Sequence, residues 1–209
     1  MDQIVFFWSG KNLNVPEYFV KSINKNTLGK YKIIQVSDLN TNRIEGVDKF
    51  IQVELPKDLM TARLKAFSFV KTLNNKTIFC DADSLMLCDI KLSEFKKGFY
   101  IMKRKKNSII NHLYPEHFPE FKNKYFIDLM PFLFGAIIIS NKENYFLDLY
   151  NICLKLPSRY QRWYGDQISL HMFYLDNKSK FHFFEQPKYM HIFQKNDDAK
   201  KTIKYLLEH

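Results

Sequence analysis

Glycine occupies only 6 of the 209 positions, and that scarcity excludes glycine-rich phosphate loops. Neither a Walker loop nor a dinucleotide fingerprint is present. Cysteine is equally sparse. Cys80, Cys88 and Cys153 form an odd set without metal-ligand spacing, and Cys80 and Cys153 lie in apolar runs. Free, partly buried thiols in a reducing cytoplasm are expected rather than a disulfide framework. No apolar run approaches the ~20 residues of a spanning helix. The opening Met1-Asp2-Gln3-Ile4-Val5-Phe6-Phe7-Trp8 has neither a basic leader nor a small-residue cleavage site, and reads as a first strand rather than a signal peptide. The expected location is cytoplasmic, with peripheral contact at an inner membrane surface as a secondary feature.

Hydrophobic residues make up 46% of the chain and aromatics 16%, enough for a packed core and too much for disorder. The length fits one domain. Basic residues outnumber acidic ones, 32 to 22, so the +10 surface favours anionic partners: nucleoside diphosphates, anionic lipid head groups or nucleic acid. The basic residues are spread along the chain with no RNA- or DNA-binding motif, so nucleic acid is not expected. Lys103-Arg104-Lys105-Lys106 reads as a solvated face, with anionic acceptors or lipid head groups as its other use.

Apolar runs alternate with helical patterns. Strands are expected at residues 4–8, 32–36, 49–53, 77–80, 99–102, 136–139 and 180–184. A helix opened by Asn14 and Pro16 runs to about Asn26, with Tyr18, Phe19, Ser22 and Ile23 on one side. Leu59, Ala62, Ala66, Phe69, Val70 and Leu73 mark a helix from Asp58 to about Leu73. A capping box, Ser140-x-x-Glu143, is expected to start a helix burying Phe146, Leu149, Tyr150 and Cys153. Further helices are expected at 166–173 and, as a basic terminal helix, at 197–208. Residues 103–131 read as a long irregular excursion. This alternation predicts an α/β domain with a mainly parallel sheet covered on both faces, and chemistry just beyond the carboxyl ends of the strands.

The sharpest feature is Ile78-Phe79-Cys80-Asp81-Ala82-Asp83-Ser84, an apolar strand ending in two aspartates spaced i, i+2. In extended chain those side chains share a face. Two carboxylates forced together repel, and oxygen ligands of this kind suit Mg²⁺ or Mn²⁺, which can clamp a diphosphate. A solvated turn is the alternative reading of the same residues.

From Lys65-Ala66-Phe67 through Asp81-Ala82-Asp83-Ser84-Leu85-Met86-Leu87 the sequence resembles the A-type glycosyltransferases, in particular the retaining family that includes glycogenin and bacterial galactosyltransferases. Phe134-Gly135-Ala136-Ile137-Ile138-Ile139 is similar to that family's F-N-[AS]-G strand, without its asparagine. Tyr164-Gly165-Asp166-Gln167 resembles its G-D-Q segment. Tyr189-Met190-His191-Ile192-Phe193-Gln194-Lys195 resembles its H-x-x-G-x-x-K-P-W, without the glycine, proline and tryptophan and with Lys195 two residues early.

The resemblance implies a single-domain nucleotide-diphospho-sugar transferase fold, with residues 1–102 as the nucleotide- and metal-binding half and 103–209 as the acceptor and sugar-binding half. It implies Asp81, Asp83 and His191 as ligands of Mn²⁺ or Mg²⁺, with Asp81 alternatively on the donor ribose. Arg63 or Lys65 would touch the donor's phosphates or sugar, and Lys195 the donor. Asp166 and Gln167 would lie beside the donor sugar and the site of transfer. Trp8 and Ser9, with Gly10-Lys11-Asn12, form the loop where the base would lie. Tyr160, Trp163 and Tyr164 are either core or a sugar-stacking platform. The implied reaction is transfer, with retention, from a nucleotide-sugar (UDP-sugar favoured) to a glycan, lipid-linked or protein acceptor. An inverting relative would need a base, for which Asp166 is the candidate. Two other classes compete: a haloacid-dehalogenase-like phosphatase, with Asp197-Asp198 as its late acidic pair, and a non-catalytic basic module for nucleic acid or anionic membrane.

Overall fold

The strand–helix alternation is present in the computed structural model, which describes residues 1–27, 30–72, 76–90, 92–104, 125–140, 144–162, 164–184 and 190–192. In chain order the elements are β1 (Asp2–Trp8), α1 (Asn14–Thr27), β2 (Tyr31–Ser37), β3 (Lys49–Gln52), α2 (Leu59–Ser68), β4 (Thr77–Asp81) and β5 (Ser84–Met86). They continue with β6 (Phe99–Lys103), α3 (Phe126–Leu129), β7 (Phe132–Ile139), α4 (Phe146–Lys155), α5 (Ser158–Arg162), α6 (Gly165–Asp176), β8 (Phe181–Phe184) and β9 (Met190–Ile192).

Seven strands form one sheet in the order β3-β2-β1-β4-β7-β6-β8, and β5 pairs with β9 in a separate two-stranded sheet. Within the large sheet only β7 runs against the rest, antiparallel to both β4 and β6. The sheet is therefore mixed and mainly parallel. Successive side chains of a strand point to opposite faces. On β1, Ile4 and Phe6 accordingly join a core with Phe19, Val20 and Ile23 of α1, while Val5 and Phe7 join the core under α2, α4 and α6. Burial on both faces is why these strands read as unbroken apolar runs. Phe67, Phe79 and Phe146 form an aromatic cluster in this core, with ring centroids 4.4 to 5.0 Å apart.

Several local expectations need correction. On α1, Val20 is buried, whereas Tyr18 is exposed. Helix α2 stops at Ser68 because the Asn144 side-chain amide donates to the carbonyls of Phe67 (3.1 Å), Ser68 (3.3 Å) and Val70 (2.6 Å), which a longer helix would have used itself. The same Asn144 accepts the Phe146 N–H at 3.0 Å and so opens α4. Ser140 does not cap that helix. Its hydroxyl accepts the Gly98 N–H at 2.9 Å and bonds the Lys96 carbonyl, fastening the end of β7 to the start of β6. β5, α3 within the excursion, α5 and β9 stand where the sequence predicts no element. Leu73, Lys105, Lys106, Glu143 and the terminal helix expected at 197–208 lie outside the described residues.

Candidate active site

Parallel register brings the ends of the strands together. Trp8 of β1 pairs with Ser37 of β2, Phe7 with Asp81 of β4, and Lys103 of β6 with Phe132 at the start of the reversed β7. One edge of the sheet therefore carries Trp8, Ser9, Asp38, Asp81 and Arg104. Between Ile101 and Met102 the pairing jumps from Ile137 to Leu133, an irregularity that leaves Phe134, Gly135 and Ala136 without a β6 partner where β7 parts from β4.

Phe134 and Arg63 meet at the centre of this edge. The Arg63 guanidinium lies 4.3 Å from the centroid of the Phe134 ring. It donates through Nη1 to Asp81 Oδ1 and through Nη2 to Asp166 Oδ2, joining the end of β4 to the first turn of α6. The side chain of Arg63 is 13% exposed, that of Asp81 22% and that of Asp166 not at all, so this is a buried ion-pair network rather than a surface one. Burial pushes the Asp81 carboxyl above its ordinary range, against the opposing pull of Arg63. Of the two basic residues singled out on this helix, Arg63 is the one that meets the carboxylates. Lys65, two positions on and roughly 200° around the helix, makes no side-chain bond among the described residues.

Asp166 reaches this place through a tight approach. Tyr164, buried, adopts a left-handed φ of 68° just before the helix. Gly165 then passes so close to its neighbours that a Cβ there would lie 2.6 Å from the Tyr160 carbonyl oxygen and 3.0 Å from Cys153 Sγ. Strained backbone of this kind persists where the surroundings over-determine it. The other Asp166 oxygen, Oδ1, accepts the Gln167 N–H at 2.7 Å.

Gln167 is half-buried, and its Oε1 accepts from Arg104 Nη2 at 2.6 Å. Arg104 is also fastened by Nε to the Met130 carbonyl (3.0 Å), and burial draws its guanidinium below the ordinary value. Lys103, the other described residue of the basic run, is exposed, with its ammonium 3.8 Å from the Phe183 ring centroid.

The pair of aspartates is arranged differently from the expected extended strand. β4 ends at Asp81, and Ala82 and Asp83 form the turn into β5, so the two side chains do not follow one strand's alternation. Asp81 is half-buried and Asp83 exposed. β9 then pairs antiparallel with β5, setting His191 opposite Leu85, two residues beyond Asp83. Among the described residues no group of three His, Cys, Asp or Glu side chains is placed to hold a metal. The side chain of His191, together with Trp163 and Lys195, lies outside the described residues.

At the other end of the edge, Trp8 Nε1 donates to the Asn12 carbonyl at 2.9 Å, and Ser9 Oγ donates to Asp38 Oδ2. Thr41 Oγ1 accepts the Gly10 N–H at 2.8 Å and donates to Asp38 Oδ1 at 3.0 Å. Gly10 has φ 126°, a backbone state suited to glycine. Burial alone would raise the Asp38 carboxyl, but the hydrogen bonds from Ser9, the Asn40 N–H and Thr41 prevail and hold it below its ordinary value. Sequence reading missed Asp38 and Arg104. Each follows a strand of the sheet, but a polar residue, Ser37 or Lys103, closes that strand and separates it from the apolar run. Of the expected aromatic platform, Tyr164 is buried, and Tyr160 packs against the Met130–Tyr164 cluster with Arg159 over its ring at 4.8 Å.

No family model matches the chain, and no curated protein sequence does. Solved structures do. The glycosyltransferase GlyE of Streptococcus pneumoniae TIGR4 superimposes with a TM-score of 0.56 at 17% identity, covering 88% of this chain and 46% of that one. Its apo form gives 0.54 at the same 17%, over 88% and 45%. The chain thus spans a little under half the length of the structures it resembles. At this identity the likeness is one of architecture, and the chain has a glycosyltransferase fold: α/β, with a mixed seven-stranded sheet flanked by helices.

Proposed function

We propose that the chain is a metal-dependent glycosyltransferase that moves a sugar from a nucleoside-diphosphate donor, a UDP-sugar favoured, to a glycan, lipid-linked or protein acceptor. The observation that carries this reading is the Arg63 bridge. It joins Asp81 to Asp166, so the two segments that resemble the metal-site and G-D-Q motifs meet at one sheet edge, where α/β folds bind ligands.

A divalent ion suits this edge on its chemistry. Asp81 and Asp166 carry one more negative charge than Arg63 neutralises, and Asp83 adds another. Asp81 spends Oδ1 on Arg63, while its Oδ2 accepts no hydrogen bond among the described residues. Oxygen ligands of this type suit Mn²⁺ or Mg²⁺. The β5–β9 pairing, which sets the His191 backbone beside the turn bearing Asp83, supports His191 as the third ligand. When bound, such an ion neutralises charge on a departing diphosphate.

The chain's own side chains divide the remaining work. Arg63, fixed by two carboxylates, holds Asp81 in one orientation and supplies a preorganised positive charge. Gln167 lies next to Asp166 at the site of transfer. The cluster of Ser9, Asp38 and Thr41 shapes the loop offered to the nucleoside. Both oxygens of Asp166 are engaged, one by Arg63 and one by the Gln167 N–H, which argues against its being a general base and favours transfer with retention. The phosphatase reading needs Asp81 as a nucleophile, a residue that usually closes the first strand of that fold, whereas Asp81 closes β4, the fourth strand in chain order.

The test is the melting temperature with UDP and Mn²⁺ added separately and together. A ligand specific for the native state stabilises it. The shift should require both components, vanish with chelator and vanish in Asp83→Asn, whose own melting temperature should hold because Asp83 is exposed. Stabilisation by UDP without metal, or unchanged in Asp83→Asn, overturns the metal assignment. No response to any nucleoside diphosphate overturns the function.

A further inference from the structure

We propose that Arg104 is a positioning residue that turns the Gln167 amide so that its NH₂ group, and not its carbonyl oxygen, faces the donor sugar. The inference rests on the transferase reading above and deepens it.

Arg104 is the first residue after β6, and three hydrogen bonds fix it. Its backbone N–H donates to the Pro131 carbonyl at 2.8 Å, its Nε to the Met130 carbonyl at 3.0 Å, and its Nη2 to Gln167 Oε1 at 2.6 Å. Met130 is fully buried, so this anchor is shielded from solvent. A guanidinium only donates, so the amide atom it meets is the oxygen. The Gln167 nitrogen then lies on the far side of the amide carbon, and it donates no hydrogen bond among the described residues. Gln167 is half-buried and directly follows Asp166, the residue that Arg63 holds, so its two amide N–H donors remain to be used by a ligand.

The consequence is chemical. A carbonyl oxygen already held by Arg104 is not offered to the sugar. What Gln167 recognises is a hydrogen-bond acceptor on the donor sugar, a hydroxyl or ring oxygen. The hold uses two nitrogens of one planar fork, a geometry that lysine does not reproduce.

The experiment measures UDP release from UDP-glucose and UDP-galactose, alongside the affinity for UDP with Mn²⁺. Misplacement of a group at a reacting centre costs about ten- to a hundredfold, and Arg104→Met should lose turnover on that scale. Its UDP affinity should stay within about twofold, since the interaction lost serves turnover rather than nucleotide binding. Arg104→Lys should not rescue. In a Gln167→Ala background, Arg104→Met should change turnover by less than about twofold, because residues acting through one another are not additive. Equal losses in both backgrounds, or full turnover in Arg104→Met, overturn the proposal. Should Arg104→Met fail to fold, Gln167→Glu decides the matter. It keeps an acceptor for Arg104 and removes the donors, so it should fold and be slow, and a fully active Gln167→Glu overturns the proposal. An active wild type with insensitive variants sinks this inference alone. A wild type that turns over neither sugar sinks it together with the transferase reading.

Discussion

The Arg63 guanidinium is hydrogen-bonded to the Asp166 carboxylate, 103 positions away in sequence and wholly shielded from solvent. Removing one partner of such a pair leaves the other charge buried and uncompensated, which costs about 3–5 kcal/mol. Arg63→Met should therefore lower unfolding stability in urea at neutral pH by roughly that amount. Adding Asp166→Asn should recover part of the loss, since a neutral amide is cheaper to bury than a lone carboxylate. A stability change within ~0.5 kcal/mol for Arg63→Met, as for a surface position, contradicts the buried bridge.

Asp38 carries a pH signature. Its carboxyl is held below the ordinary value in the folded protein, so around pH ~4 the unfolded chain binds more protons. The stability contributed by Asp38 is therefore fully present above the unfolded value and is lost as pH falls through the lower folded one. Denaturant titrations of wild type and Asp38→Asn should differ at pH 7, and the gap should close in acid. A gap that widens as pH falls reverses the assigned sign.

Asn144 links two helices, donating to the carbonyls at the end of α2 and accepting from the first turn of α4. Losing a side-chain cap costs about 0.5–2 kcal/mol, and Asn144→Ala should fall toward the upper end because both helices lose a partner. Ser140→Ala should instead loosen the junction of β6 and β7, seen as faster amide exchange at Gly98, whose N–H it receives. Protection of the α4 amides should survive Ser140→Ala and decline in Asn144→Ala. The reverse pattern restores the capping box.

Much of the architecture was legible because burial writes a period into the chain. β1, β2, β4 and β7 are apolar on both faces, and α1 and α4 repeat at helical spacing, so their existence followed from composition and order. The site was legible in part, through one recurring position: the residue after an apolar strand. That rule found Asp81 after 77–80, but Asp38 and Arg104 lie one residue further, because β2 and β6 extend through the polar Ser37 and Lys103. It failed for Ser140 because a serine three residues before a glutamate looks the same whether its hydroxyl faces a helix or a neighbouring strand.

The sequence by itself determined that the chain is an α/β domain with acidic groups at a strand end, since periodicity and local order are properties of neighbouring residues. Tertiary structure alone decided that β7 runs backward, that Arg63 rather than Lys65 meets the carboxylates, and that Gln167 is held by Arg104. The physical reason is distance along the chain. Those contacts join residues from 18 to 103 positions apart, and sheet order and helix phase, not local pattern, choose which side chains meet.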